Sequence, residues 1–245
     1  MNITVNGPQI LWVLFPDSLH ITITQTTLTS WIVMAILITA SFFINRNLSV
    51  RKPGKVQVMV EKGVSMMYNM VESIMGSHNS HFTPYIGTLF LSSILGTLLG
   101  MTGVLRSATA DLSTTVAWAV ATSVLQWRGA IKTDGIGPFL KNWINPMNLI
   151  SDVAQPISMS FRHFGNIAGG SVLTTLIYSG LAVLSSFVLQ WVPVAAIKVI
   201  PVFQLGIPAF LSIYFDLFSG FVQALIFIML TMVFVGGTHP AKEEK

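Results

Sequence analysis

No cysteine occurs in the chain, and charge is scarce: 13 Lys+Arg and 9 Asp+Glu in 245 residues, or 9% charged against 52% hydrophobic. The first absence excludes disulfide frameworks, thiolate metal sites and cysteine nucleophiles. The second excludes an ordinary water-facing globule, which would carry roughly 25% charged residues. Spread evenly, the 22 charges (13 plus 9) would leave no uncharged stretch of the roughly 20 residues that a spanning helix needs. They must be clustered, and the composition reads as an integral membrane protein. No Gly-rich phosphate loop ending in Gly-Lys-Ser/Thr is present either, so no catalytic nucleotide site is expected. Only Asp17 precedes the first apolar run, which speaks against a cleaved signal peptide. The net charge of +4 comes from basic residues at the ends of apolar segments. That pattern signals topology rather than a nucleic-acid partner.

What is present is a series of long apolar runs. Nothing charged lies between Asp17 and Arg46, and Trp31 to Ile44 forms the core of a first spanning helix. Arg46, Arg51, Lys52 and Lys55 follow, which predicts an outside amino terminus and a cytoplasmic end for this helix. Val56 to Gly76 mixes Glu61, Lys62 and Glu72 with regularly spaced apolar residues. It suits a helix lying on the membrane surface, or one covering other parts of the protein. Phe82 to Leu105 is a second span, in which Gly96 and Gly100 would let another helix approach closely. Asp111 or Thr109 is placed to cap a third helix, Leu112 to Trp127, forming a hairpin with the second. Arg128, Lys132 and Lys141 then mark a return to the cytoplasm, with Gly129, Gly135, Gly137 and Pro138 suggesting a loop.

Between Asn148 and Thr238 only Asp152, Arg162, Lys198 and Asp216 are charged. Pro193, Lys198, Pro201 and Pro208 divide this stretch into two long helices, about 148–191 and 203–238. The first would reach roughly 65 Å if straight, twice the hydrocarbon thickness, so strong tilt or kinking at Gly165, Gly169 and Gly170 is expected. Residues 1–245 read as a single all-α, polytopic membrane domain with about five spanning helices and one surface helix. The two long helices form a carboxyl-terminal hairpin, and the carboxyl tail is expected in the cytoplasm.

Arg162 is the residue that most needs a reason, because a charge at bilayer depth costs about 2.5–3.5 kcal/mol on insertion scales. Snorkelling at a helix end is one way to reduce that cost. Ser158 and Asn166 lie four residues to either side and complete a polar stripe. Asp152 is ten residues earlier, close to the same face, and Asp216 and Gln223 share a face of the last helix. Taken singly, Ser158 could bond back to its own helix, and Asn166 and Gln223 could bridge helices. Together they line a path. If Arg162 and Gln223 lie opposite each other in an antiparallel pair, paired positions sum to 385 (162 plus 223). Asp216 then falls opposite Gly169, where small residues leave room for water.

The run Pro156-Ile-Ser-Met-Ser-Phe-Arg162-His-Phe-Gly-Asn166, with Gln223-Ala-Leu-Ile-Phe227, resembles subunit a of the F-type ATP synthase. Thr29 to Val33 and Ala108 to Thr115 add weaker likeness, so the resemblance covers nearly the whole chain in order. It implies a non-catalytic stator subunit facing a ring of subunit c hairpins. Arg162 would be the essential arginine between two ion half-channels, and Gln223 and Asn166 match the family's glutamine and asparagine. Asp216 would act in the outer half-channel, where relatives carry His or Glu, and Asp152 and Ser158 would line the inner one. Ser171 stands where many members have Glu, leaving the outer acid to Asp216. His163 replaces the usual Leu and would either tune the site or pack as a neutral residue. The implied partners are the c-ring, peripheral-stalk b subunits and membrane lipid. No cofactor, metal or nucleic acid is expected, and the implied location is the bacterial cytoplasmic membrane rather than an organellar one. A self-contained transporter or channel binding an anion at Arg162 is the competing reading. It differs in predicting transport by this chain alone in liposomes.

Overall fold

The computed structural model describes residues 10–14, 21–46, 48–49, 53–102, 104–189 and 213–239. A short antiparallel hairpin, β1 (Ile10–Leu14) and β2 (Ile21–Thr24), precedes the helices, with Ile10 opposite Thr24 and a register shift before Trp12. It is a short addition to a chain that is otherwise helical, as the all-α, polytopic reading expects. The alternation Ile21-Thr-Ile-Thr24 is a period-two signal that marks a strand.

Among the described residues, seven α-helices follow: α1 (Gln25–Arg46), α2 (Lys55–Met75), α3 (Thr83–Met101), α4 (Leu112–Asp134), α5 (Ile136–Ile144), α6 (Pro146–Leu189) and α7 (Ser219–Gly237). A 3₁₀ turn, Ser77–Phe82, leads into α3, and a π-helical segment, Ile213–Phe218, leads into α7. Among the described residues, four stretches are long and apolar enough to cross a membrane: Gln25–Arg46, Ser77–Met101, Pro146–Phe187 and Ser219–Gly237. The expected fifth, α4, is 23 residues long but less apolar, because its buried positions include Thr115, Thr122 and Ser123. The loop expected after Trp127 is largely helix. Gly129 lies inside α4, Gly135 ends that helix at φ 89°, and the nine residues of α5 follow. The proline-rich stretch around Lys198 lies outside the described residues.

The bundle closes around α7. Its Phe227, Ile228, Met232 and Val235 form one core with Val71 and Met75 of α2, Ile86 and Leu89 of α3, Ala119 of α4 and Met159 of α6. The expected α3–α4 hairpin is therefore not a closely packed pair: α3 packs chiefly on α7, and α4 on α6. One side-chain bond still joins them, Tyr85 to Thr122 at 3.3 Å. In lipid, apolar contact alone discriminates poorly between helix partners, so close packing and polar pairs set the arrangement.

In α2 the structure favours the second of the two expected roles, covering other parts of the protein, whereas in α3 it differs from expectation. The second half of α2 packs on α3 and α7 through Met67, Met70, Val71, Ile74 and Met75, while Val56, Met59 and Val64 of its first half are exposed. Gly96 and Gly100 do not admit another helix. They receive the polypeptide that follows α3, where a Cβ on Gly100 would come 2.8 Å from Ser107 Cβ and one on Gly96 would touch Ala108.

That link is bound to the start of α1. Thr26 Oγ1 donates to Asp111 Oδ2 at 2.7 Å, and Thr29 Oγ1 donates to the Arg106 carbonyl at 2.9 Å. Asp111 also caps α4, accepting from Ser113 N at 3.0 Å and Ser113 Oγ at 2.8 Å. Partial burial pushes the Asp111 carboxyl up, but the bonds from Thr26 and Ser113 and the nearby Arg106 charge outweigh it and hold the group below its ordinary value. The start of α1, at Thr26 and Thr29, and the link from Arg106 to Asp111, separate in sequence, thus meet in one contact.

Candidate ion-path site

The site is carried by α6, which runs unbroken for 44 residues through Pro156 and through Gly165, Gly169 and Gly170. At 1.5 Å per residue that is roughly 66 Å, so its length is accommodated without a break in the helix. Most of α6 is exposed. Its inward face between residues 159 and 163 carries the buried Met159, Ser160 and His163, while Ser158, Phe161 and Arg162 point outward.

The register with α7 is fixed by a reciprocal pair. Ser219 Oγ donates to Asn166 Oδ1 at 2.7 Å, and Asn166 Nδ2 donates to the Ser219 carbonyl at 3.2 Å. Their numbers sum to 385 (166 plus 219), the register expected from Arg162 and Gln223. One turn further on, Arg162 and Gln223 are therefore level, Gln223 almost buried at 7% exposure and Arg162 open. In the other direction, the backbone of Asp216, within Ile213–Phe218, comes level with Gly169. Gly169 is exposed, and a Cβ added there would meet nothing within 4 Å among the described residues.

Two spaces that carry polar side chains in a largely apolar lining lie along α6 on either side of the arginine. The first, about 290 Å³, is a groove between α6 and α7 lined by Ser151, Gln155, Ser158 and Arg162, with Leu230 and Phe234 opposite. The spacing of four, three and four residues puts those four polar side chains on one helical face. Ser151 and Gln155 were missed by the sequence reading, although that spacing is visible in the sequence. The second space, about 250 Å³, lies between α6, the end of α3 and the link after it. Arg106, Ser107, Ser171 and Thr174 contribute its polar lining. Thr174 Oγ1 is buried there with no hydrogen-bond partner among the described residues, as expected of a group that binds water. Ser171 is nine residues beyond Arg162, about 180° around the helix, so the spaces differ in direction as well as height. Between them, from Arg162 to Ile167, about 7 Å of helix lines neither.

Three sequence-predicted residues lie away from the groove. Asp152 is not on the face of Arg162: ten residues leave it about 80° away, and its carboxylate accepts from Trp143 Nε1 of α5 at 2.8 Å. Asn166 is committed to Ser219. His163 is 1% exposed, with Nε2 3.1 Å from Ser93 Oγ of α3 and its ring in a three-ring cluster with Trp118 and Phe227. No group of three or more His, Cys, Asp or Glu able to hold a metal occurs among the described residues.

The family model for the ATP synthase A chain matches residues 27–236, from the start of α1 to the end of α7. The chain belongs to the ATP synthase A chain family. It is similar to ATP synthase subunit a, sodium ion specific, of Propionigenium modestum, at 31% identity over 96% of this chain and 86% of that protein. It is also similar to ATP synthase subunit a 1 of Crocosphaera subtropica, at 31% identity over 94% of this chain and 96% of that one. ATP synthase subunit a of Desulforamulus reducens is 30% identical, over 86% and 78% of the two chains. As a member of this family the chain is a multi-pass protein of the ATP synthase membrane sector and takes part in ion translocation.

Proposed function

We propose that this ATP synthase A chain is the non-catalytic stator subunit that couples ion flow to rotation of a c-ring, with Arg162 as its fixed cation. The carrying observation is Arg162 itself, a charge on an apolar helix, at the end of one groove with a polar stripe and about 7 Å of helix short of a second space that holds polar side chains. A carboxylate on a rotating ring must be neutral while it faces lipid, because an unpaired anion there is strongly disfavoured. Beside Arg162 it ionises and releases its ion. The guanidinium stays protonated, so it also blocks direct leakage between the two spaces.

In this assignment the groove of Ser151, Gln155, Ser158 and Arg162 is the inner half-channel, and the space at Ser171 and Thr174 belongs to the outer one. Asp216, level with Gly169, supplies the outer acid. Gln223 stands level with the arginine, and Asn166 holds the helix pair in that register. The whole chain acts as one membrane unit beside the c-ring and the peripheral-stalk b subunits. Its amino terminus lies outside and its carboxyl terminus in the cytoplasm of a bacterium. Replacing Arg162 with Ala in the reconstituted complex is expected to abolish ATP-driven ion pumping; coupled pumping at the parental rate would overturn the assignment. The relative from Propionigenium modestum is named as sodium specific. Measuring ATP hydrolysis against Na⁺ concentration distinguishes Na⁺ from H⁺ coupling here.

A further inference from the structure

We infer that His163 is a positioning residue: bound to Ser93 behind the arginine, it sets the rotation of α6 and so the direction in which Arg162 points. The role in pumping rests on the proposed function above, whereas the rotation of α6 can be measured without it. A long, mostly exposed helix in lipid has little to fix its rotation. Apolar side chains facing a neighbouring helix or lipid tails are in similar surroundings, so packing alone specifies rotation weakly. Polar pairs are directional and supply what packing lacks.

Three such pairs tie α6 to three different helices between residues 155 and 166. Gln155 exchanges bonds with Gln126 of α4 at 2.6 and 3.4 Å, His163 pairs with Ser93 of α3 at 3.1 Å, and Asn166 pairs with Ser219. Gln155 and Asn166 lie within about 40° of the Arg162 face and bracket it axially. His163 alone of the three sits well around the helix, about 100° away, and fully inside the protein. Its ring lies 6.0 Å from that of Trp118 and 5.1 Å from that of Phe227, a box in which Ser93 is its hydrogen-bonding partner among the described residues. Nδ1 has none, so losing Ser93 would leave both ring nitrogens buried without one. A 100° turn of α6 would carry His163 out of this box and bring Arg162 toward it. A leucine at 163 would fill the box but could not select one rotation by a bond.

The absence of cysteine supplies the test, because Ser158→Cys introduces the subunit's one thiol on the groove face, one turn before Arg162. In the assembled complex this thiol is titrated with a water-soluble methanethiosulfonate, in the parental, S93A, H163L, H163Q and H163L/S93A backgrounds. Losing a bond of this size changes the ratio of rotational states roughly 5- to 30-fold. Labelling of S158C is therefore expected to change at least about fivefold in S93A, which strands the imidazole. H163Q, which can still reach Ser93, should restore the parental rate. H163L/S93A, which strands nothing, should fall closer to the parent than S93A does. Pumping per ATP hydrolysed, measured without the reporter cysteine, should follow the same order at equal complex yield. Unchanged labelling in both S93A and H163L overturns the inference, as does lost pumping with unchanged labelling. If pumping survives R162A while labelling shifts as expected, the rotational role stands and the ion-path assignment falls.

Discussion

Replacing Gly129 with Ala tests the packing at the end of the bundle where α4 and α7 terminate. His239, just beyond α7, lies so close to Gly129 that a Cβ there would overlap the imidazole. The ring cannot retreat freely. Its Nδ1 is 3.0 Å from the Val235 carbonyl, and its face is met edge-on by Phe82 at 5.3 Å. The residue's own carbonyl accepts from Asn79 Nδ2 at 2.9 Å, and His78 Nε2 lies 2.6 Å from the same oxygen. Overpacking a site this constrained costs about 1–3 kcal/mol. Removing the ring instead, in H239A, forfeits one hydrogen bond and the aromatic contact, together about 1–2 kcal/mol. The carbonyl bonds survive because they involve the backbone.

In G129A/H239A the added methyl enters space that the ring has vacated. The pair should therefore cost roughly what H239A costs alone, with a coupling of about 1–3 kcal/mol between the two changes. Thermal unfolding of the detergent-solubilised chain, followed by circular dichroism, reads this at roughly 2–4 °C per kcal/mol for a chain of this size. Additive losses in the double variant would refute the overlap, and so would a G129A midpoint equal to the parent's.

Asp111 gives a prediction in pH. Its carboxyl is held below the ordinary value in the folded chain, so its contribution is complete above the unfolded value near 3.9 and is lost as pH falls through the folded value. D111N should thus melt below the parent at pH 6, and the gap should begin to narrow as pH falls below about 4; a gap that stays constant on acidification would count against the ionised carboxylate as the cause. Asp216→Asn is expected to slow passive proton conduction through the assembled membrane sector, and an unchanged rate would reject a relay role for that residue.

Much of the polar arrangement along α6 and α7 was legible because lipid makes polar residues conspicuous. Arg162 stands out by the cost of placing it, and Ser158, Asn166 and Gln223 by their spacing from it and from each other. The helix register followed from those positions, and the Asn166–Ser219 pair bears out its sum. The failures have a common physical origin in contacts between segments distant in sequence. Asp152 is turned aside by a tryptophan on α5, in a stretch whose Gly and Pro suggested a loop. Gly96 and Gly100 have the spacing of a helix-packing motif, and nothing local says that the chain's own next turn fills it. Gln155 was within reach of the helical spacing but was not singled out, and its partner Gln126 lies 29 residues away.

The central place of α7 orders the protein's biogenesis. Synthesis runs from the amino terminus, so α1 to α6 reach the membrane before the helix that most of the core packs against has been made. Until then Leu89, Ala119 and Met159 face lipid or one another, and Asn166 has no Ser219 to bind. The bundle therefore closes late and from its last helix. A nascent chain stopped before Ser219 would lack Phe227, Ile228, Met232 and Val235, the side chains that join the core residues of α2, α3, α4 and α6.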